Sequence, residues 1–228
     1  MERVDPNKSV RKGNPLDQQK NNVKRNVSWG RRSWTAAGLI VLLAAIFLVF
    51  LPLVIMPGVR PNPQIGPKSA PVTIVEFGDY ACSPCRIWAQ AGMRQQLLDK
   101  YGSKVRFVWA DFPVVTLESS KAAEAGRCAY DQGKFWEYQD YVYNNYQGIF
   151  NAALKFYASR VGLNKETFDR CLDSGAKAAE VNLDFKDAMN RFLGGTPTFI
   201  INNSVVITGM APMDKFAAVI DPILAGAH

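Results

Sequence analysis

Between Ser33 and Val59 the chain carries no charged residue, and residues 34–56 form an almost unbroken apolar run through Leu39, Ile40, Val41, Leu42, Phe47 and Phe50. About 20 such residues cross a hydrocarbon core as a helix, because a helix satisfies every backbone polar group within the segment. A cleaved secretory signal is the competing reading, but its apolar region spans only about 7–15 residues and ends at a small-residue cleavage site. Here the run is longer, and the small pairs Ala36-Ala37 and Ala44-Ala45 lie inside it. An uncleaved transmembrane anchor over residues 34–56 is therefore expected. Lys24, Arg25, Arg31 and Arg32 precede the run, and Trp29 and Trp34 mark its interface. By the positive-inside rule the N-terminal tail stays in the cytoplasm, and everything after Arg60 faces the periplasmic or extracellular side.

That placement reinterprets the charge. The 228-residue chain carries a net charge of +7, which by itself raises nucleic acid as a partner. Residues 1–34 hold nine Lys and Arg against three Asp and Glu, leaving 18 against 17 for the rest. The exported body is nearly neutral, so no nucleic-acid partner is expected. Residues 1–33 have too little aliphatic content to offset chain ordering and read as a disordered, basic, cytoplasmic tail that orients the anchor; an RNA-binding arm is the alternative. Residues 57–71 contain Pro57, Pro61, Pro63, Pro67 and Pro71. In polyproline II geometry they would be a semi-rigid spacer of up to ~45 Å.

The body, residues 72–228, reads as α/β. Val72 to Phe77 is a short β-branched run suited to a buried strand, and a helix over residues 83–101 follows, with Ile87, Met93 and Leu97 inward. Val105 to Trp109 is the next strand. Residues 115–193 show helical periodicity broken at Gly133, Gly148, Gly162 and Gly175, an all-helical insert. A hairpin then turns at Asn202-Asn203 between residues 198–201 and 204–207, and a last helix opens at Pro212 with Phe216, Ile220 and Leu224 inward. Phe135, Trp136, Tyr138, Tyr141, Tyr143 and Tyr146 lie at helical spacing and read as core and rim of the insert rather than a ligand surface.

The sole histidine is His228, so the described motifs offer no internal imidazole base for a Ser-His-Asp or Cys-His hydrolase. The chemistry lies in Cys82-Ser83-Pro84-Cys85, between the first strand and the first helix. That spacing brings two sulfurs within bonding reach and sets Cys82 at the positive end of the helix dipole, where a thiolate is favoured. Cys82 is thus expected to be the low-pKa nucleophile and Cys85 the more buried, resolving thiol. A purely structural disulfide at this pair is one alternative. A zinc site completed by Cys128 and Cys171 is another, although that second pair is 43 residues apart where structural sites use close-spaced pairs.

The run Ala70 to Phe77 with Asp79-Tyr80, Cys82-x-x-Cys85, Phe135-Trp136 and Gly195-Thr196-Pro197-Thr198-Phe199 resembles the DsbA-like branch of the thioredoxin superfamily over about residues 68–225. The resemblance implies a thioredoxin fold with a helical insertion and a protein thiol–disulfide oxidoreductase needing no cofactor or metal. It implies that Pro197 is a cis-proline facing the cysteine pair and, with Thr196, holding extended substrate backbone. Glu76 matches the family's buried acid that assists proton transfer at the inner cysteine; a solvated strand-edge carboxylate is its alternative. The resemblance also implies a structural disulfide between Cys128 and Cys171, with two separate buried thiols as the alternative. Substrates would be the thiols of exported proteins, and a membrane redox partner of the DsbB or vitamin K epoxide reductase type would reoxidise the enzyme. One departure bears on direction: Pro84 is the second intervening residue, as in thioredoxin, whereas DsbA-like oxidases commonly have proline first. Thioredoxin and DsbA potentials differ by roughly 150 mV, so a disulfide oxidase leads, with a reductase or isomerase of the same fold behind it. A redox-inactive binding module or chaperone is the alternative from a different class, and retention of both Cys82 and Cys85 argues against it.

Overall fold

The structure, a computed structural model, describes residues 61–226. The expected tail, the anchor, the first linker residues and His228 lie outside the described residues. Among the described residues no helix is long and apolar enough to cross a membrane.

The central strand β2 (Val72–Gly78) buries Val72, Ile74 and Glu76 on one face and Phe77 on the other, as alternation along a two-sided strand requires. It runs parallel to β3 (Val105–Asp111), in register from Val72 opposite Val105 to Gly78 opposite Asp111. A Cβ on Gly78 would overlap the Trp109 ring, so only glycine lets the indole lie across that strand end. The crossover between them is helical. It comprises α1 (Ser83–Gln90) and α2 (Met93–Tyr101), not the single helix expected over residues 83–101. Gly92, at φ +68°, breaks the run in a left-handed conformation that favours glycine. The same break corrects the inward stripe: Cys85, Trp88 and Leu97 are buried and Met93 packs at the core edge, but Ile87 is 52% exposed.

β4 (Thr198–Ile201) pairs antiparallel with the other side of β2, and β5 (Val205–Thr208) closes the hairpin. Asn202 and Asn203 take φ of 48° and 60°, the turn conformation their sequence suggests. The hairpin's second strand begins one residue later than expected. At the opposite edge β1 (Gln64–Ile65) pairs with Val108 and Phe107 of β3, completing the order β1-β3-β2-β4-β5. The expected spacer over residues 57–71 is shortened: Pro63 is buried, its carbonyl accepts from the Trp109 N–H at 2.9 Å, and Gln64–Ile65 form the edge strand β1.

The insert is helical as expected: α3 (Ser119–Asp131), α4 (Phe135–Asn144), α5 (Asn151–Arg160), α6 (Lys165–Ser174) and α7 (Ala178–Asn190). Phe135, Tyr138 and Tyr143 are buried in its core, with Trp136, Tyr141 and Tyr146 packed at the margin. One sheet face packs against α1, α2 and α8 (Met213–Leu224), where Phe216 and Ile220 are buried and Leu224 lies at the edge. The other face, with Phe77, Ala110 and Ile200, is covered by α7 through Ala188 and Phe185.

Cys128 of α3 and Cys171 of α6 are joined by a disulfide. This rules out their use as zinc ligands beside the first pair. Closing a loop over a sequence separation of 43 removes chain entropy from the unfolded state. Replacing both cysteines by Ala will lower stability by about 3 kcal/mol. Urea unfolding reads that loss, with an m-value that rises because the unfolded chain is no longer cross-linked, and the Cys82-Cys85 chemistry should be unchanged.

Candidate active site

The site is built where β2 ends and α1 begins. Cys82 is the N-cap of α1, with extended backbone (φ −69°, ψ 113°), and Pro84 occupies the first turn, where its missing N–H costs no helical bond. Cys82 Sγ accepts from the Cys85 backbone N–H at 3.2 Å, one of the donors a helix start leaves unpaired. In its thiol form Cys82 donates to the Thr196 carbonyl, also at 3.2 Å. The Thr196–Pro197 peptide bond is cis, Pro197 is buried, and its carbonyl accepts from Gly209 N–H. The hairpin arm and the helix start thus meet at Cys82, as the sequence motif requires.

The two thiols are unlike. Hydrogen bonds donated to Cys82 Sγ by the Cys85 thiol and N–H outweigh its burial and bring its pKa down to about 7. Burial pushes the Cys85 thiol far up, aided by its hydrogen bond to Cys82 and by the Glu76 carboxyl. Cys85 has no accessible surface and Cys82 keeps 3%, so a partner reaches the pair through Cys82.

Glu76 is buried beneath the cysteines, on the strand face that carries Trp109 from β3 and Phe199 from β4. Desolvation raises its pKa to about 8, against the opposing pull of the Arg94 guanidinium. The solvated-carboxylate alternative is excluded by 3% exposure. Thr196 Oγ1 is buried beside the sulfur, and the Thr196 side chain helps lower the Cys82 pKa.

One residue of the site carried no assigned role in the sequence. Asp79 is 2% exposed and accepts from the N–H groups of Ala81, Val114 and Val115, each at 2.8 Å. It thereby ties the turn before Cys82 to the loop after β3. Below it, Arg127 is fully buried between Asp111 and Asp184, with Asn62 bridging Arg127 and Asp184. These groups are up to 122 residues apart, so no spacing in the chain announces them.

Comparison with known proteins agrees with this geometry. The Na(+)/H(+) antiporter NhaA 1 of Salinispora arenicola is 35% identical over 139 residues, covering 60% of this chain. The chain spans about a fifth (21%) of that relative's length. The probable disulfide bond formation protein D of Bacillus cereus is 27% identical over 166 residues, covering 67% of this chain and 75% of that protein. Among solved structures, oxidised BdbD from Bacillus subtilis superposes with a TM-score of 0.66 at 23% identity, covering 73% of this chain and 96% of that one. The fold is thus the one the motifs implied. Residues 59–222 match the family model described as thioredoxin, and with Cys82 and Cys85 at the helix start and Pro197 cis beside them, the chain belongs to the thioredoxin family.

Proposed function

We propose that the chain is an extracytoplasmic thiol–disulfide oxidase that introduces disulfides into exported proteins through Cys82 and Cys85. The observation that carries thiol–disulfide exchange is the asymmetric pair, an outer thiol held against the Thr196 carbonyl with its pKa lowered and an inner thiol pushed far up; the oxidising direction rests on the name of a relative. A substrate thiolate attacks Cys82 Sγ of the disulfide form; the Cys82–Cys85 bond breaks, and Cys85 departs with the electron pair and takes a proton, for which Glu76 is the nearby donor. A second substrate thiolate attacks its own mixed-disulfide sulfur, and Cys82 departs as a thiolate. Two electrons have then moved from substrate to enzyme. A membrane redox partner of the DsbB or vitamin K epoxide reductase type accepts them and restores the enzyme disulfide. Thr196 and Pro197 hold the substrate strand beside Cys82, and residues 34–56 tether the enzyme to the membrane. The name of the Bacillus cereus relative supports the oxidising direction.

A reductase or isomerase is the second reading, and Cys82 itself favours it. A strongly oxidising pair holds its nucleophile near pKa 3.5, whereas a reducing pair holds it near 7; Cys82 is at the latter value. The discriminating measurement equilibrates the Cys82–Cys85 pair with glutathione and follows oxidative refolding of a reduced substrate. A potential above about −200 mV with accelerated refolding is expected for an oxidase. A potential below about −250 mV would overturn the oxidase reading and leave the reductase.

A further inference from the structure

The sheet face opposite the active-site helices is only partly covered. Helix α7 packs over Phe77, Ala110 and Ile200 through Ala188 and Phe185, then ends at Asn190. Beyond its end lies a cleft of about 370 Å³, floored by Val75, Phe77 and Ile200 and rimmed by Arg106, Arg191, Asp187 and the Asn202-Asn203 turn. That volume falls at the small end of ligand cavities.

Its polar groups are unevenly matched. Arg191 donates Nε to both Asp187 oxygens at 2.9 Å and Nη1 to Asn203 Oδ1 at 2.7 Å. Arg106 has no carboxylate partner among the described residues. It donates Nη2 to Thr73 Oγ1 at 3.1 Å, while its Nε is buried with no partner at all. A guanidinium that forgoes hydrogen bonds on a half-buried sheet face is costly unless something else accepts them. Two arginines against one aspartate leave the rim one positive charge in excess. An oxyanion on an apolar stem satisfies both features, with the stem on Val75, Phe77 and Ile200 and the oxygens on Arg106.

We propose that this cleft is a binding site, separate from the cysteine pair, for a small monocarboxylate with a compact apolar body. Nothing in the thiol chemistry uses Arg106, Arg191 or Asp187, so the site is loaded and tested independently of the redox reaction.

The test uses the full chain in detergent micelles, with benzoate and its uncharged isostere benzamide as probes, followed by ligand-observed NMR. Saturable benzoate binding at least tenfold tighter than benzamide is expected. Arg106→Gln should weaken benzoate at least tenfold and leave benzamide unchanged. Asp187→Asn removes the acid that competes for Arg191 and should tighten benzoate about threefold, a gain that simple disruption of the fold does not produce. Both variants should keep wild-type disulfide exchange. Equal binding of the two probes, no saturation, or benzoate binding indifferent to Arg106→Gln would overturn the site.

Discussion

Cys82→Ser will abolish disulfide exchange, a loss of at least about a thousandfold, whereas Cys85→Ser will still allow attack and will accumulate mixed disulfide at Cys82. The asymmetry follows from the two environments. Half of Cys82 is thiolate near pH 7, because the Cys85 thiol and N–H both point at its sulfur. Cys85 sits one helical turn further in, without accessible surface, where burial keeps it protonated. Alkylation of the reduced protein by iodoacetamide across pH 4–10 tests the same difference without any substrate. One rapidly reacting thiol with an inflection near pH 7 is expected, and it should vanish in Cys82→Ser. An inflection near the ordinary thiol value, or exchange surviving in Cys82→Ser above a tenth of wild type, would remove Cys82 from the role of nucleophile.

The parts of this site that lie close together in the chain were legible from local preference; of those assembled from a distance, the approach of Pro197 to Cys82 and the Cys128–Cys171 bond were expected only from the family resemblance, and the rest were not legible. The strand before Cys82, the helix starting at Ser83, the Asn202-Asn203 turn and the glycine breaks of the insert each depend on local backbone preference or apolar period. All appear in the structure. The break between α1 and α2 was visible only as Ala91-Gly92, because the apolar spacing continues across it and hides the change of axis. β1 has two residues, too few to show a period, and the surrounding prolines suggested a spacer. Ile87 is apolar and lies in the expected helix, yet the turn that sends Cys85 and Trp88 inward leaves it in solvent. Asp79 and the Arg127, Asp111, Asp184 and Asn62 group resist prediction for a physical reason. A buried ion is tolerated only with complete partners, and its partners are chosen by the tertiary fold rather than by sequence spacing.

Glu76→Gln will stabilise the reduced protein at neutral pH and slow its chemistry, the two effects having one origin. In the unfolded chain the carboxyl titrates near 4.5, but in the folded protein burial holds it protonated up to about 8. Between those values the folded state binds one more proton than the unfolded state, so stability falls as pH rises through this window. The contribution is intact below pH 4.5. By pH 7 it has cost about 3 kcal/mol, and above pH 8 about 4–5 kcal/mol, at about 1.4 kcal/mol per pH unit. Gln carries the same shape without the ionisation, so urea unfolding of Glu76→Gln at pH 5, 7 and 8.5 should lack this slope and exceed wild type most at pH 8.5. A variant no more stable than wild type at pH 8.5 would mean that Glu76 is already ionised at neutral pH. Catalytically the same proton is what departing Cys85 needs when the enzyme disulfide opens. Loss of that donor should slow the opening about 10–100-fold with no change in the Cys82 inflection, since that inflection is set chiefly by Cys85 hydrogen bonds. Stopped-flow reduction by a small thiol isolates that step, and an unchanged rate would make Glu76 a burden on stability with no part in proton transfer.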